Sequence, residues 1–311
     1  MMAEALDDDD DIFVYMGGNQ QVPDEVRRAR IHISVKIIRA RAFYNRRNLI
    51  SVEFHDGVEI IEHRAFKCCR LQSIKLLGVK IIKQKAFSNC TRLTAVEFGN
   101  KLETIEQQAF IGTGLRKLRM PSVTTVERWA FAHCDELSDV EFGEELRKLQ
   151  EAFHRCNNLE RIALPLKGDM IEGFVFTTRK LETVDLVGGF HQTIGTLHLE
   201  SWRNEMMDEI NRINPLPTIT AVGKTQVIRQ WMERVIRQLD HYKAEHQQIL
   251  KEATTLLELA LWKANLDVKE GRLMGEGVRT VGKVESSRDE IRYTSGADIV
   301  IKNVLPFLAL K

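Results

Sequence analysis

The chain has 311 residues, 43% hydrophobic and 29% charged, enough for a folded core and about two structural units. Its 45 basic and 44 acidic residues leave a formal charge of +1, which excludes any general attraction to nucleic acid or to an anionic membrane surface. No apolar run approaches the roughly 20 residues that span a bilayer, and MMAEALDDDDD at 1–11 has neither the basic start nor the apolar stretch of a secretory signal. A soluble intracellular protein is expected, cytoplasmic or nuclear, with no membrane insertion and no nucleic-acid partner.

In chain order, the Asp7–Asp11 run reads as a disordered acidic leader. Ile12 to Met16 reads as a short strand and Gly17-Gly18 as a turn, together an N-terminal cap. Val26, Ala29 and Ile31 form the first strand pattern. The pattern then repeats at Leu49, Leu71, Leu93, Leu115, Leu137, Leu159 and Leu181, a strict period of 22 residues. Three residues after each leucine comes Val52, Ile74, Val96, Leu118, Val140, Ile162 or Val184. Two further on comes Phe54, Leu76, Phe98, Met120, Phe142, Leu164 or Leu186. Such a period is the signature of a solenoid in which each repeat adds one strand. Before each strand stands I-x-x-x-A-F, as in Ile61 to Phe66 and Ile82 to Phe87. The alanine permits close stacking and the phenylalanine fills the coil between its walls. Ile194, Leu197 and Leu199 imitate the strand pattern after only 13 residues and suggest a truncated closing turn.

The repeat unit, as in AFSNCTRLTAVEF (86–98) and AFHRCNNLERIALP (152–165), resembles the BspA-like leucine-rich repeats. The whole chain is also similar to an expanded diatom family of leucine-rich repeat (L domain-like) proteins, through segments such as FVYMGG (13–18), LHLESWRNEM (197–206) and NVLPFL (303–308). The resemblance implies a β-rich solenoid used for protein binding. The fold class is therefore α+β: a BspA-type leucine-rich-repeat β-solenoid followed by a helical C-terminal region.

Beyond the repeats the apolar period changes. Leu199, Trp202, Met206, Ile210 and Ile213 share one helical face, ended by Asn214-Pro215-Leu216-Pro217. From Ile228 to Ala260 apolar residues follow alternating steps of four and three, the spacing of a coiled coil. The expected organisation is a leader at 1–11, a capped solenoid at 12–194 and a helical region at 195–268, as one long helix or a hairpin. A flexible linker at 269–296 and an apolar segment at 297–311 that docks back complete it. The far half of the long seam, at Ile249, Leu256 and Ala260, is the candidate self-association surface of a homodimer; His246 there reads as a tolerated polar residue.

Catalytic chemistry is not apparent. Cys69, Cys90, Cys134 and Cys156 each lie three residues after a repeat phenylalanine and read as small buried hydrophobes, not as metal ligands or disulfides. Gly223-Lys224-Thr225 has the end of a phosphate-binding loop without its upstream glycine, so Thr225 reads as a helix N-cap. No cofactor and no metal is expected. The informative polar positions are the fourth residues of the strands: Arg30, Glu53, Lys75, Glu97, Arg119, Glu141, Ala163 and Asp185. In register they make a ladder of alternating sign as far as Glu141, the candidate ligand-binding face. Trp129 and Phe174 break a polar rule at the turn position and are candidate aromatic anchors. The sequence thus points to a non-catalytic protein–protein interaction scaffold with a protein partner. A secreted or cell-surface adhesin of the same class is the alternative, and a nucleotide-binding enzyme a distant third.

Overall fold

The computed structural model describes residues 12–178, 180–197, 199–214, 216 and 221–275. The leader at 1–11, most of the expected linker and the segment at 297–311 lie outside the described residues. Sixteen short strands alternate between two walls of a coil. The main wall holds β1 (Ile12–Tyr15), β2 (Arg28–Ile31), β4 (Ser51–Glu53), β6 (Ser73–Leu76), β8 (Ala95–Phe98), β10 (Lys117–Met120), β12 (Asp139–Phe142), β14 (Arg161–Pro165) and β16 (Thr183–Val187). The second wall holds β3 (Ile37–Ile38), β5 (Ile60–Ile61), β7 (Ile81–Ile82), β9 (Thr104–Ile105), β11 (Thr125–Val126), β13 (Lys148–Gln150) and β15 (Ile171–Glu172).

Among the described strands every pairing is parallel, and all but the β1–β2 pairing step by one repeat. The second wall is one continuous seven-stranded sheet, β15-β13-β11-β9-β7-β5-β3. The main wall is divided into β1-β2-β4, β6-β8 and β10-β12-β14-β16. Backbone bonds from Gln72 N–H to the Ile50 carbonyl (3.2 Å) and from Arg116 N–H to the Thr94 carbonyl (3.4 Å) carry it across the two divisions.

The repeat phenylalanines form one column through the interior. Successive ring centroids are 4.7 Å apart for Phe43–Phe66, 5.1 Å for Phe66–Phe87, 5.0 Å for Phe87–Phe110, 5.4 Å for Phe110–Phe131 and 5.7 Å for Phe131–Phe153, all stacked. Tyr15 heads the column, tilted on Phe43 at 5.0 Å. All these rings are 0% exposed. From Phe43 to Phe131 each phenylalanine N–H also donates to the alanine carbonyl of the next repeat, as Phe66 does to Ala86 at 2.8 Å. The backbone reaches this position through a left-handed residue, with φ of 59° at Arg41, 55° at Arg64, 59° at Lys85, 58° at Gln108 and 60° at Trp129. Such a conformation turns the chain sharply and leaves its side chain outside, which accounts for the polar preference there.

The cysteines form a second column. Cys69, Cys90 and Cys156 each donate a thiol hydrogen at 3.0 Å to the carbonyl of a phenylalanine in the preceding repeat: Phe43, Phe66 and Phe131. Cys134 continues the pattern at 3.3 Å from the Phe110 carbonyl, and Thr113, where the repeat lacks the cysteine, donates to that same carbonyl from within its own repeat at 3.0 Å. Burial raises the thiol pKa of Cys69 and of Cys90, the latter to about 12. Gly99 and Gly143 mark strand exits where backbones meet: a Cβ at either would overlap the carbonyl of Leu77 or Pro121.

A parallel solenoid leaves an unpaired edge at each end. At the first edge the Gln20 carboxamide accepts from Met16 N–H (2.6 Å) and donates to the Val14 carbonyl (3.3 Å). At the last edge the Asn214 carboxamide accepts from Val184 N–H (3.0 Å) and donates to the Val184 carbonyl (3.1 Å). On the phenylalanine rung, Thr225 Oγ1 accepts from Phe176 N–H (3.0 Å) and donates to the Phe176 carbonyl (3.3 Å). Arg229 reaches the carbonyls of Ile171 and Gly173, both at 3.1 Å. Side chains thus imitate the missing strand at both ends.

Three expectations are corrected. The chain leaves β16 at Gly188 (φ 107°) and forms helix α1 (Phe190–Gly195), so Ile194, Leu197 and Leu199 make no closing turn of sheet. Thirteen residues are too few for a coil that needs 21 to 23. Thr225 is not an N-cap, because helix α3 (Ala221–Gly275) starts four residues earlier and the hydroxyl serves Phe176. The helix also takes residues 269–275 from the expected linker, and it is a single helix with no hairpin.

Helix α2 (Glu200–Asn211) lies within the 197–213 face anticipated. The first compact unit holds the solenoid through Ile194 with Glu205–Arg237; the second holds Gly195–Asn204 and the helix from Gln238 on. In the first, Trp231 Nε1 donates to the Glu209 carbonyl (3.0 Å) and Arg234 to the Glu209 carboxylate (3.1 Å). In the second, Trp202 stacks on Tyr242 at 5.1 Å.

Phe87→Ala or Phe131→Ala should cost about 3–5 kcal/mol in chemical denaturation, the usual range for a buried phenylalanine. Parent-like stability would mean that the column does not hold the coil. Of the five thiols, only half-buried Cys68 should be alkylated rapidly by iodoacetamide at pH 8 in the native chain, as read by intact mass. Fast labelling of Cys69 or Cys90 would contradict their burial.

Candidate interaction surface

The fourth-residue row runs along the main wall as Val14, Arg30, Glu53, Lys75, Glu97, Arg119 and Glu141, placed side by side by strand register. Its charges pair two by two. Arg30 meets Glu53 at 2.6 Å, Lys75 meets Glu97 at 3.1 Å and Arg119 meets Glu141 at 2.7 Å. These pairs fall inside the hydrogen-bonded groups of strands, never across a division.

The row closes at its far end. Ala163 is 0% exposed, which corrects its place among exposed positions. The Arg161 guanidinium binds Asp139 at 2.9 Å and Asp185 at 2.6 Å, joining three neighbouring strands. Those carboxylates hold the Arg161 pKa above its ordinary value, Asp139 most strongly. Sequence reading missed Arg161 because it stands two positions before the row. Its partners across strands become visible only once register is known.

The two aromatic candidates differ. Trp129 is half-buried, with the Arg128 guanidinium 4.5 Å from its ring centre and the His154 ring at 6.2 Å. The His154 and His133 rings stand 6.0 Å apart, edge to face. Burial, with Arg155 and His133 adding to it, lowers the His154 pKa. Trp129 mainly covers a neighbouring turn. Phe174 is 55% exposed, because Gly173 (φ 73°) takes the left-handed position and moves the aromatic one residue outward.

A cleft of about 490 Å³ opens at the first end of the main wall, lined by Val14, Arg30, Ile31, His32, Ile33, Glu53, Phe54 and His55. Phe54 is half-buried, whereas its counterparts Leu76, Met120 and Leu164 are 0% exposed. Ile33 is 73% exposed. His55 Nε2 lies 3.0 Å from the His32 carbonyl, and His32 Nδ1 lies 2.8 Å from Ser34 Oγ. His32 and His55 occupy equivalent positions just after their strands.

On α3 the seam is closed at Ile228, Met232 and Val235, all at most 1% exposed. Further along, Ile249 and Ala260 are half-buried, Leu256 is 56% exposed, and Leu259 and Trp262 beside it are 56% and 65% exposed. The Lys224 ammonium is buried and donates to the Leu181 carbonyl at 2.6 Å. It is committed to closing the last repeat, which leaves the phosphate-loop reading without its lysine. Among the described residues no helix is long and apolar enough to cross a membrane.

No curated protein matches the chain. Among solved structures, a leucine-rich repeat protein from Bacteroides ovatus is similar at 21% identity and a TM-score of 0.37, covering 51% of this chain and 60% of that one. The pneumococcal vaccine antigen PcpA is similar at 19% identity and a TM-score of 0.32, covering 58% of this chain and 67% of that one. A leucine-rich cell surface protein from Faecalibacterium prausnitzii gives 18% identity and a TM-score of 0.34, with 57% and 69% covered. The chain therefore spans 60% of the length of the Bacteroides protein. The family model described as BspA type leucine rich repeat region matches residues 24–138 and 80–198, in six copies. With that repeat matched over more than half of its length, the chain belongs to the BspA-type leucine-rich repeat family.

Proposed function

We propose that this protein is a non-catalytic scaffold that binds a protein partner on the outer face of the main wall. The observation that carries the reading is the register-locked row from Val14 to Glu141, which offers apolar and charged side chains on one rigid surface with a cleft at its end. Its ionisable groups pair across strands instead of converging on a common point, an arrangement suited to recognition. Buried thiols at Cys69, Cys90, Cys134 and Cys156, none in a disulfide, support a cytoplasmic location.

The second element of the proposal is self-association. Leu256, Leu259 and Trp262 form an exposed apolar stripe of about two turns on α3, and a second copy packed antiparallel would cover it along the four-three seam at Ile249, Leu256 and Ala260. Sedimentation of the full chain at micromolar concentration should show a dimer that Leu256→Glu with Trp262→Glu makes monomeric. A strictly monomeric parent would remove this element.

The binding face is tested with photocrosslinking residues in the full chain. At positions 75 and 97 they should capture the partner, whereas at 83 and 108 on other surfaces of the coil they should not. Equal capture would overturn the assignment. Independently, Lys75→Glu sets three acids in a row with Glu53 and Glu97. Stability should fall by a few tenths to about 1 kcal/mol, and the loss should shrink in 1 M salt. A salt-independent loss would mean that the row acts by packing alone.

A further inference from the structure

After each second-wall strand the chain turns outward, and in three repeats that turn is held by a carboxylate from the next coil. Glu62 Oε2 accepts from the Ala40 N–H at 2.9 Å, Glu106 Oε2 from the Gln84 N–H at 2.8 Å and Glu127 Oε2 from the Gln107 N–H at 3.0 Å. Each glutamate directly follows its own strand, β5, β9 or β11. After β7 the same position is Lys83, and the His63 N–H that it would serve has no acceptor among the described residues. The Lys83 ammonium instead stands 3.9 Å from Glu62.

The charge around this point is one-sided. The left-handed residues of three successive coils are Arg41, Arg64 and Lys85. Hydrogen bonds from the Arg41 N–H to the His63 carbonyl and from the Arg64 N–H to the Gln84 carbonyl, both 3.1 Å, set them in register. Among the described residues none of these three side chains has an acid partner or a hydrogen bond, and Arg64 Nε is buried as well. The neighbouring acid, Glu62, is already held by Ala40, Arg39 and Lys83. Burial lowers the pKa of half-buried His63, and Arg64, Arg41 and Lys85 lower it further, so all three charges are felt at its ring. On the main wall, by contrast, bases in register meet acids.

We propose that this ridge binds a phosphate group, free or as a monoester. One phosphate oxygen accepts from the His63 N–H, as Glu106 does from Gln84, and Arg41, Arg64 and Lys85 supply the countercharge. Three successive coils span only about 10 Å, so these long side chains converge on one group. A phosphate suits the ridge better than a carboxylate, because a dianion with several oxygens can serve the N–H and two guanidinium groups together. The site lies on the turn ridge and does not depend on what the main wall binds.

The test uses the full chain carrying nitrogen-15 histidine, whose nine backbone amides are read by NMR with His63→Gln assigning the one of interest. Inorganic phosphate added at constant ionic strength should move the His63 amide downfield to saturation and leave the other histidine amides nearly unmoved. Acetate should bind roughly tenfold more weakly. Phenyl phosphate separates the sources: tighter binding than inorganic phosphate assigns the site to monoesters, weaker binding to the free ion. Lys83→Glu restores the internal carboxylate. It should move the His63 amide downfield without ligand and weaken phosphate binding by roughly tenfold or more. Arg64→Gln should also weaken binding roughly tenfold, at a parental melting temperature. Absence of a saturable shift at His63, an equal response of all histidine amides, or undiminished phosphate affinity in Lys83→Glu would each overturn the proposal.

Discussion

No phenylalanine of the central column has a complete environment within its own repeat. The ring of Phe87 is covered on one face by Phe66 and on the other by Phe110, and without both neighbours it would face water. The period follows from this constraint. A slip of one residue in any strand would turn the apolar set outward and pull a ring out of the column. The hydrogen bonds from each phenylalanine N–H and from each cysteine thiol to the neighbouring repeat add direction to what burial drives. Variation in length is confined to the connections, where four to six residues lead from the main wall to the second wall and ten to twelve lead back. Outward rows are consequently fixed in position regardless of their composition, and this makes the wall a platform for recognition.

Much of this was legible in the chain itself. Period, strand positions, the buried role of Cys69, Cys90, Cys134 and Cys156 and the seam of the long helix all follow from spacing, because spacing is what in-register stacking constrains. The division of the main wall and the pairing of its charges two by two were not legible, since spacing along the chain does not say which neighbouring strands complete their ladder. Arg161 escaped notice for a related reason: its importance lies in reaching Asp139 and Asp185 on two other strands. Thr225 was misread because a hydroxyl five residues into a helix can serve the edge of a sheet 49 residues away, and no local signal marks that use. The cleft at Phe54 was invisible because the same residue type at the same repeat position, Phe98 or Phe142, is buried.

The face proposed for recognition is graded along its length. Its first end holds an open recess, its middle consists of matched pairs, and its far end is tied down by the Arg161 bridge over buried Ala163. Matched pairs resist non-specific charge attraction and contribute little to binding energy, since each is exposed and mutually satisfied. At the first end exposed apolar side chains, Val14 and Ile33, adjoin the Arg30–Glu53 pair.

Gln20 and Asn214 have a consequence for how such a chain can change length. Each carboxamide binds only the backbone of the outermost strand, the Val14–Met16 stretch or Val184, and neither reads the identity of any repeat between them. A 22-residue unit duplicated within the middle of the coil would carry its own phenylalanine, its own cysteine and its own outward residue, and would leave both stoppers where they are. Growth by internal copying is thus structurally inexpensive, whereas growth at either terminus would require a new stopper to arise simultaneously. The number of coils is free to drift while the two closures stay constant, and new binding rows can be gained without redesigning the protein's ends.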